Sequence, residues 1–408
     1  MTKQRIGIWI IGAWGGVSTT AAVGLSALQK GTTGASGLVS ENPFFEKLNL
    51  AKWDQFVIGG HEIRDTSFVD AAKHFSETSG VFHPALLQSV ESELKAFDQN
   101  VKPGTLIHVG DTIRSLAGNS VKQYDQETLQ DTISRLSADI SEFQQKHDLA
   151  HVIVVNLAST EPPVEESAKT LSLDELKQAL ASAETSPVPA STLYAIAAMH
   201  AGCSHINFTP SAGTDLPALV ELAEEKNVLH AGRDGKTGET LMKSVLAPMF
   251  AHRNLNVMSW VGHNIFGNLD GKVLDDPVNK SNKVHSKDHL LTEILGYKPQ
   301  TLVSIEYIES MGDWKTAWDH IHFQGFLDTK MSLQFTWQGT DSILAAPLVL
   351  DLVRFTEREW RRGDRSGVMS HLSSFFKSPM QATTPEFERQ YQQLEEWANK
   401  VSEESQSS

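Results

Sequence analysis

The sequence predicts an α/β fold, a doubly wound and mostly parallel sheet interrupted by an inserted α+β unit. Three observations predict it. Short, almost wholly apolar runs alternate with helix-length segments over residues 1 to about 235, the pattern of parallel strands buried on both faces by crossover helices. A glycine-rich turn, GAWGGVSTT, follows the first run and leads into the helical stretch AAVGLSAL. After Gly238 the character changes, and a long apolar segment, Ser342 to Trp360, then returns the chain to the first unit.

In chain order, RIGIWII (Arg5 to Ile11) is short and continuously apolar, as a buried parallel strand is. Further strands are expected at Gln55 to Ile58, Thr105 to Val109, His151 to Asn156, His205 to Phe208 and Val228 to Ala231. Helices are expected between them at Pro84 to Phe97, Gln126 to Lys146, Leu173 to Ala183, Thr192 to His200 and Leu216 to Glu225. A helix over Thr240 to His252 opens the second section. Strands at Val257 to Val261, Leu302 to Ile308 and Met331 to Trp337 follow, with a polar stretch from Gly267 to Lys287. The tail Val401 to Ser408 offers nothing to bury and is expected to fray, so that deleting Glu403 to Ser408 leaves activity intact.

Composition narrows the function classes. With 408 residues, 40% hydrophobic and 21% charged, the chain can bury a large core and is neither disordered, collagenous nor disulfide-rich. Fifty acidic residues against 35 basic give a net charge of -15, which argues against nucleic acid as the main partner. No apolar run reaches the ~18 residues of a transmembrane helix. Gly12, Gly15 and Gly16 interrupt the N-terminal apolar run, so no signal peptide is expected and a cytoplasmic location follows by default. The single cysteine, Cys203, cannot form an intramolecular disulfide and is expected to be a structural thiol.

A glycine turn between a strand and a helix lets backbone N–H groups approach a pyrophosphate, whose charge the helix N-terminus favours. Gly12, Gly15 and Gly16 suit that role, in the spacing G-x-x-G-G. The acidic partner for the adenosine end is displaced to Glu62, at the end of the next strand. Lys236, Lys243, Lys272, Lys280, Lys283 and Lys287 gather among Gly, Asn and Asp in an otherwise acidic chain. Such a cluster beside a dinucleotide site suggests a phosphorylated substrate; a solvated loop with surface lysines is the plainer alternative. Two histidine pairs, His147 with His151 and His320 with His322, invite a metal reading. Neither comes with an HExxH motif or a cysteine pair, so no metal ligands are expected.

These segments, with GGHEI, VNLASTEPP, STLYAIAAMHAGCSHINFTPS, AGRDGKTGETLMKSVLAP, GNLDGKVL, SNKVHSK, GDWKTAWD and DSILAAPLVLDL, resemble the inositol-3-phosphate synthase family, also called myo-inositol-1-phosphate synthase. The resemblance covers most of the chain. It implies a Rossmann-like NAD-binding domain over 1–240 plus 341–408 and an inserted catalytic and oligomerisation domain over 241–340, assembled as a homotetramer. It implies an isomerase of inositol and phospholipid biosynthesis that converts D-glucose 6-phosphate to 1D-myo-inositol 3-phosphate. NAD oxidises C5, the ketone acidifies C6, the enolate closes on C1, and the hydride returns. Such steps need cations beside oxygens that gain charge and a base for the C6 proton.

By the same resemblance, Lys283, Lys287, Lys315 and Asp270 are catalytic: Lys283 at the hydride and proton-transfer centre, Lys315 on the oxyanion, Lys287 on the phosphate. Gly12, Trp14, Gly15, Gly16, Val17, Glu62, Ser159, Thr160, Asp234, Asn268 and Asp341 are implied around NAD, with Asn207 at a strand end nearby. A monovalent or divalent cation near Asp341 is a further implication. The chain departs from the family pattern in Gly-Gly-His-Glu-Ile, in Arg233-Asp234, and in Gln392, which stands near the place of a C-terminal lysine. Arg389 or Lys377 could substitute for it. These departures leave two alternatives, a related NAD-dependent cyclase acting on another sugar phosphate and a non-catalytic NAD-binding sensor.

Overall fold

The computed structural model describes residues 4–182, 186–274, 290–363 and 366–407. Seven parallel strands form the main sheet: β1 (Arg5–Ile11), β2 (Phe56–Glu62), β3 (Val101–Pro103), β4 (Leu149–Asn156), β5 (Ser204–Asn207), β6 (Leu229–Gly232) and β11 (Gly367–Val368). Their order is β11-β6-β5-β4-β1-β2-β3. The sheet therefore winds outward in both directions from the β1–β4 junction, and every crossover needs a helix on one face or the other.

Both faces are covered. Ile6, Ile8, Ile10, Ile153 and Val155 point to one side, packed with the helices Gly16–Lys30, Pro84–Asp98 and Asp341–Trp360. Trp9, Ile11, Val152 and Val154 point to the other, against Leu129–Lys146 and Ala190–His200. Helix starts are set locally, as where the Ser67 side chain accepts from Asp70 N–H and that of Thr128 from Asp131 N–H. The helix Asp341–Trp360 is buried almost all round along its second half. Its Asp351 carboxylate accepts from the N–H groups of Val39 and Ser40 at 2.7 and 2.9 Å, tying the helix to the segment after the first crossover.

A second sheet lies between β6 and that helix in sequence. It comprises β7 (Asn256–Phe266), β8 (Gln300–Tyr307), β9 (Trp314–Gln324) and β10 (Lys330–Thr340), ordered β10-β9-β7-β8. Only β7 and β8 are parallel to one another; β9 runs antiparallel to both its neighbours. The helix Gly238–His252 packs on its inner face through Ala247 and Phe250.

Several expectations are corrected. Thr105 to Val109 is a loop, not a strand, because Thr105 N–H donates to the Tyr194 hydroxyl at 2.8 Å and not to a strand ladder. The third strand instead lies earlier, at β3, whose short length and Pro103 suit the edge it occupies. Strand β9 was not anticipated, and it places His320 and His322 on the same face of the second sheet. The tail is not frayed. It continues the helix Phe387–Ser407, with Val401 wholly buried and Glu404 in an ion pair with Arg362 at 2.7 Å.

Candidate functional site

A cavity of about 230 Å³ opens at the carboxyl ends of β1 and β4, where the direction of winding reverses and the connecting loops part. Gly12, Gly15, Gly16 and Val17 line one wall, and Ser159 and Thr160, after β4, line the next. Gly12 has φ +80°, and a Cβ there would stand 2.9 Å from Ala158 Cα, so only glycine lets the turn lie this close to the β4 loop. The helix that follows starts at Gly16 with no side-chain cap, which leaves its N-terminal partial charge available to an anion.

Glu62 ends β2 beside this turn, buried and fully engaged. One carboxylate oxygen accepts from Trp14 N–H at 2.9 Å and an Arg64 terminal nitrogen at 2.8 Å. The other accepts from the Ile63 and Arg64 amides and Arg64 Nε at 2.9, 3.2 and 3.2 Å. Glu62 thus braces the glycine turn against β2. The Trp14 ring turns away, its Nε1–H donating to Asp98 at 2.8 Å, and it lines a neighbouring cleft with Arg64 and Lys102.

The opposite wall comes from five distant segments. Asp234, just after β6, accepts from Lys377 Nζ at 2.8 Å through Oδ1, while its buried Oδ2 has no hydrogen-bond partner among the described residues. Asn268 and Asp341 also line the cavity, and Lys315 Nζ lies 3.5 Å from Asp341 Oδ1. Asp313 lies between them. Its Oδ2 accepts from the N–H and hydroxyl of Ser342 at 3.0 and 2.5 Å, and burial pushes its carboxyl up to about 6. Thr237 lines the cavity at the start of the helix Gly238–His252, which again has no side-chain cap.

Other residues singled out in the sequence lie elsewhere or outside the described residues. Lys280, Lys283 and Lys287, and the side chain of Asp270, fall outside them. Lys243 is buried in an ion pair with Glu239 at 2.6 Å. Lys236 is buried against Gln390, and desolvation lowers its ammonium to about 7. Lys272 is exposed. Asn207 is buried in a network with Asn156, Thr209 and Ser211. Gln392 is exposed on the C-terminal helix; the lysine that reaches the cavity from the C-terminal region is Lys377. Asp313 and Thr237 were missed, although Asp313 stands two residues before Lys315 in the quoted GDWK.

The histidine pairs do not gather ligands. His147 Nε2 lies 2.8 Å from Asn100 Oδ1, whereas His151 stacks on Trp360 and bonds Ser204. Among the described residues, no group of three or more His, Cys, Asp and Glu side chains could hold a metal ion. Cys203 is buried, and desolvation pushes its thiol up to about 12. No helix of the described residues is long and apolar enough to cross a membrane.

The family model described as myo-inositol-1-phosphate synthase matches residues 6–399. The chain belongs to that family. It is 33% identical over 397 residues to inositol-3-phosphate synthase 1 of Bacteroides thetaiotaomicron, spanning 92% of this chain and 90% of the relative. Inositol-3-phosphate synthase 1-A of Xenopus laevis is 29% identical over 364 residues, spanning 83% of this chain and 62% of that protein. The crystal structure of inositol-3-phosphate synthase from Caenorhabditis elegans shares the fold with a TM-score of 0.86 at 24% identity, covering 98% of this chain and 86% of that one. A myo-inositol-1-phosphate synthase-related protein of Thermotoga maritima does so with 0.76 at 22% identity, over 97% and 98%.

The family is NAD-binding, and the residues of this chain fit the cofactor. Gly12 would leave a pyrophosphate room to approach the backbone, the uncapped helix at Gly16 would favour its charge, and the buried Asp234 Oδ2 is an acceptor across the cavity with no hydrogen-bond partner among the described residues.

Proposed function

We propose that this family member converts D-glucose 6-phosphate to 1D-myo-inositol 3-phosphate. The observation that carries the proposal is the Lys377–Asp234 pair on the wall opposite the glycine turn, in one cavity with Asp341, beside which Lys315 stands. Bound NAD would supply a reversible hydride acceptor, so that C5 is oxidised and later reduced with no net change of redox state. Gly12 to Val17 and the β4 loop at Ser159 and Thr160 hold the dinucleotide. Lys315 and Lys377 bring positive charge to oxygens that become anionic during enolisation and ring closure, where fixed charges need no reorganisation. Asp234 Oδ2 is a ready acceptor for a substrate hydroxyl, and the uncapped helix start at Thr237 favours the phosphate.

Lys283, Lys287 and Asp270 remain in this reading as catalytic residues, with Lys283 at the hydride and proton-transfer centre and Lys287 on the phosphate. The reading keeps an NAD-binding domain over 1–240 plus 341–408 and an inserted catalytic and oligomerisation domain over 241–340, which the separate second sheet supports. A cytoplasmic homotetramer completes the proposal. Its support is the outer face of the second sheet, where Leu302 and Trp318 are exposed. The test is incubation with glucose 6-phosphate and catalytic NAD⁺, followed by phosphorus NMR and chiral chromatography. Formation of myo-inositol 3-phosphate without net NADH is expected; turnover of other hexose phosphates only, or bound NAD with none, would replace the proposal.

A further inference from the structure

The helix Phe68–Ser79 lines the cavity through Phe75 and touches both walls. At its start, the Asp98 carboxylate accepts from Phe68 N–H and from Trp14 Nε1–H, each at 2.8 Å, so the helix is pinned to the glycine turn. In its middle, the Phe75 ring lies against Gly16 so closely that a Cβ there would be 2.5 Å from it, and Phe75 lines the cavity. At its end, Ser79 Oγ accepts from Asp313 N–H at 2.9 Å, and Ser79 C=O accepts from Trp314 Nε1–H at 2.9 Å. These two bonds join residues more than 230 positions apart and fall on the loop that carries Asp313 and leads to Lys315.

We propose that Ser79 is a positioning residue: through it, the helix Phe68–Ser79 fixes the loop at Gly312 and Asp313, and the start of β9 that carries Lys315, relative to the dinucleotide turn. The inference rests on the reading of the cavity given above. The loop is also tied at Asp313, whose C=O accepts from Asp341 N–H at 3.0 Å and whose Oδ2 accepts from the N–H and hydroxyl of Ser342, and at Gly312 C=O, which accepts from Gly267 N–H at 3.0 Å. Of these ties, the one at Gly312 lies on the second-sheet side, and those to Asp341 and Ser342 lie at the start of the helix that returns the chain to the main sheet. Ser79 and Trp314 supply the ties to the helix Phe68–Ser79 and, through Asp98, to the glycine turn. Gly312 makes room for the contact, since a Cβ on it would stand 2.5 Å from Ser79 Oγ.

The test is Ser79→Ala in the full chain with NAD bound. Leaving a buried N–H without its acceptor costs roughly five- to 150-fold in a rate that depends on it. A fall in kcat of tenfold or more is expected, with the NAD dissociation constant within threefold of the parent and amide exchange at Asp313 and Trp314 at least tenfold faster. Trp314→Phe, which deletes the second bond, should move kcat and exchange in the same direction and serves if Ser79→Ala does not fold. A folded variant with kcat within threefold, or one that loses kcat without faster loop exchange, overturns the proposal. A parent protein that binds NAD but does not turn over glucose 6-phosphate rejects the functional reading instead; loop exchange in the variants then still decides the positioning role.

Discussion

Replacing Lys377 with Met separates what the Lys377–Asp234 pair does for stability from what it does for chemistry. The two groups are 2.8 Å apart, with side-chain exposures of 13% and 6%. At an effective dielectric of about 20, unit charges at that distance attract by about 6 kcal/mol. Desolvation offsets much of this in the intact pair, but the Asp234 carboxylate left alone in Lys377→Met bears its own desolvation unrelieved, and breaking such a pair costs about 3–5 kcal/mol. Lys377→Met should therefore lower the melting temperature markedly. It should also lower kcat by about 10²–10³, the loss typical of removing one fixed charge or donor beside a developing oxyanion. The double variant D234N/K377M removes the orphaned charge, and it should recover most of the thermal stability without recovering the rate. Calorimetry on the NAD-bound protein and steady-state turnover of glucose 6-phosphate measure the two effects. A single variant with kcat within threefold of the parent, or a double variant with restored rate, would refute the reasoning.

Four further outcomes are expected. Gly12→Ala should reduce NAD binding at least a hundredfold by titration calorimetry, because the Cβ would meet Ala158 Cα at 2.9 Å on a backbone with φ +80°. The rate should fall as pH drops through about 6, where buried Asp313 takes up a proton, and Asp313→Asn should flatten that limb of the kcat profile. Because the folded-state pKa of Asp313 lies above its unfolded value of 3.8, its contribution to stability has the opposite trend: present below about pH 4 and lost as pH rises through about 6. Truncation after Ser402 removes the Arg362–Glu404 and Arg358–Ser405 contacts and should cost about 1–2 kcal/mol in denaturant melts. Lys283→Ala should abolish turnover while NAD stays bound, measured by turnover beside cofactor titration.

The sheet was legible because its central strands are buried on both faces and therefore read as unbroken apolar runs, as β1 and β4 do. At the edges that signal fades. Strand β3 is three residues with a proline, while the more apolar Thr105 to Val109 forms a loop. Strand β9 alternates inward Ala317, Asp319 and Ile321 with outward Trp318, His320 and His322, and its inward aspartate broke the apolar rhythm that marks a half-buried strand. The tail was misread as isolated polar residues. Its helical logic lies upstream, in Leu394, Trp397, Ala398 and Val401, whose spacing carries one buried stripe as far as Val401.

The site was legible in part for a related reason. The glycine turn and the residues after β4 follow directly from strand order, but Asp313 and Lys377 reach the cavity from segments whose placement depends on tertiary ties. Asp313 is held by Ser342, the second residue of the helix that brings the chain back to the main sheet, and by Ser79 from the first half of the chain. Lys377 is brought to Asp234 by backbone pairing: Lys377 N–H donates to Asp234 C=O at 2.6 Å and Lys236 N–H to Phe375 C=O at 2.8 Å. The chain thus leaves the main sheet at Asp234 to Thr237 and re-enters it at Asp341, and both junctions lie on the cavity. An insertion placed there can bring its own acidic and basic groups to a dinucleotide site without disturbing a strand of the main sheet. That arrangement explains why the polar residues opposite the glycine turn come from the insertion and its two junctions, and from Lys377, the one that pairs back to the first junction.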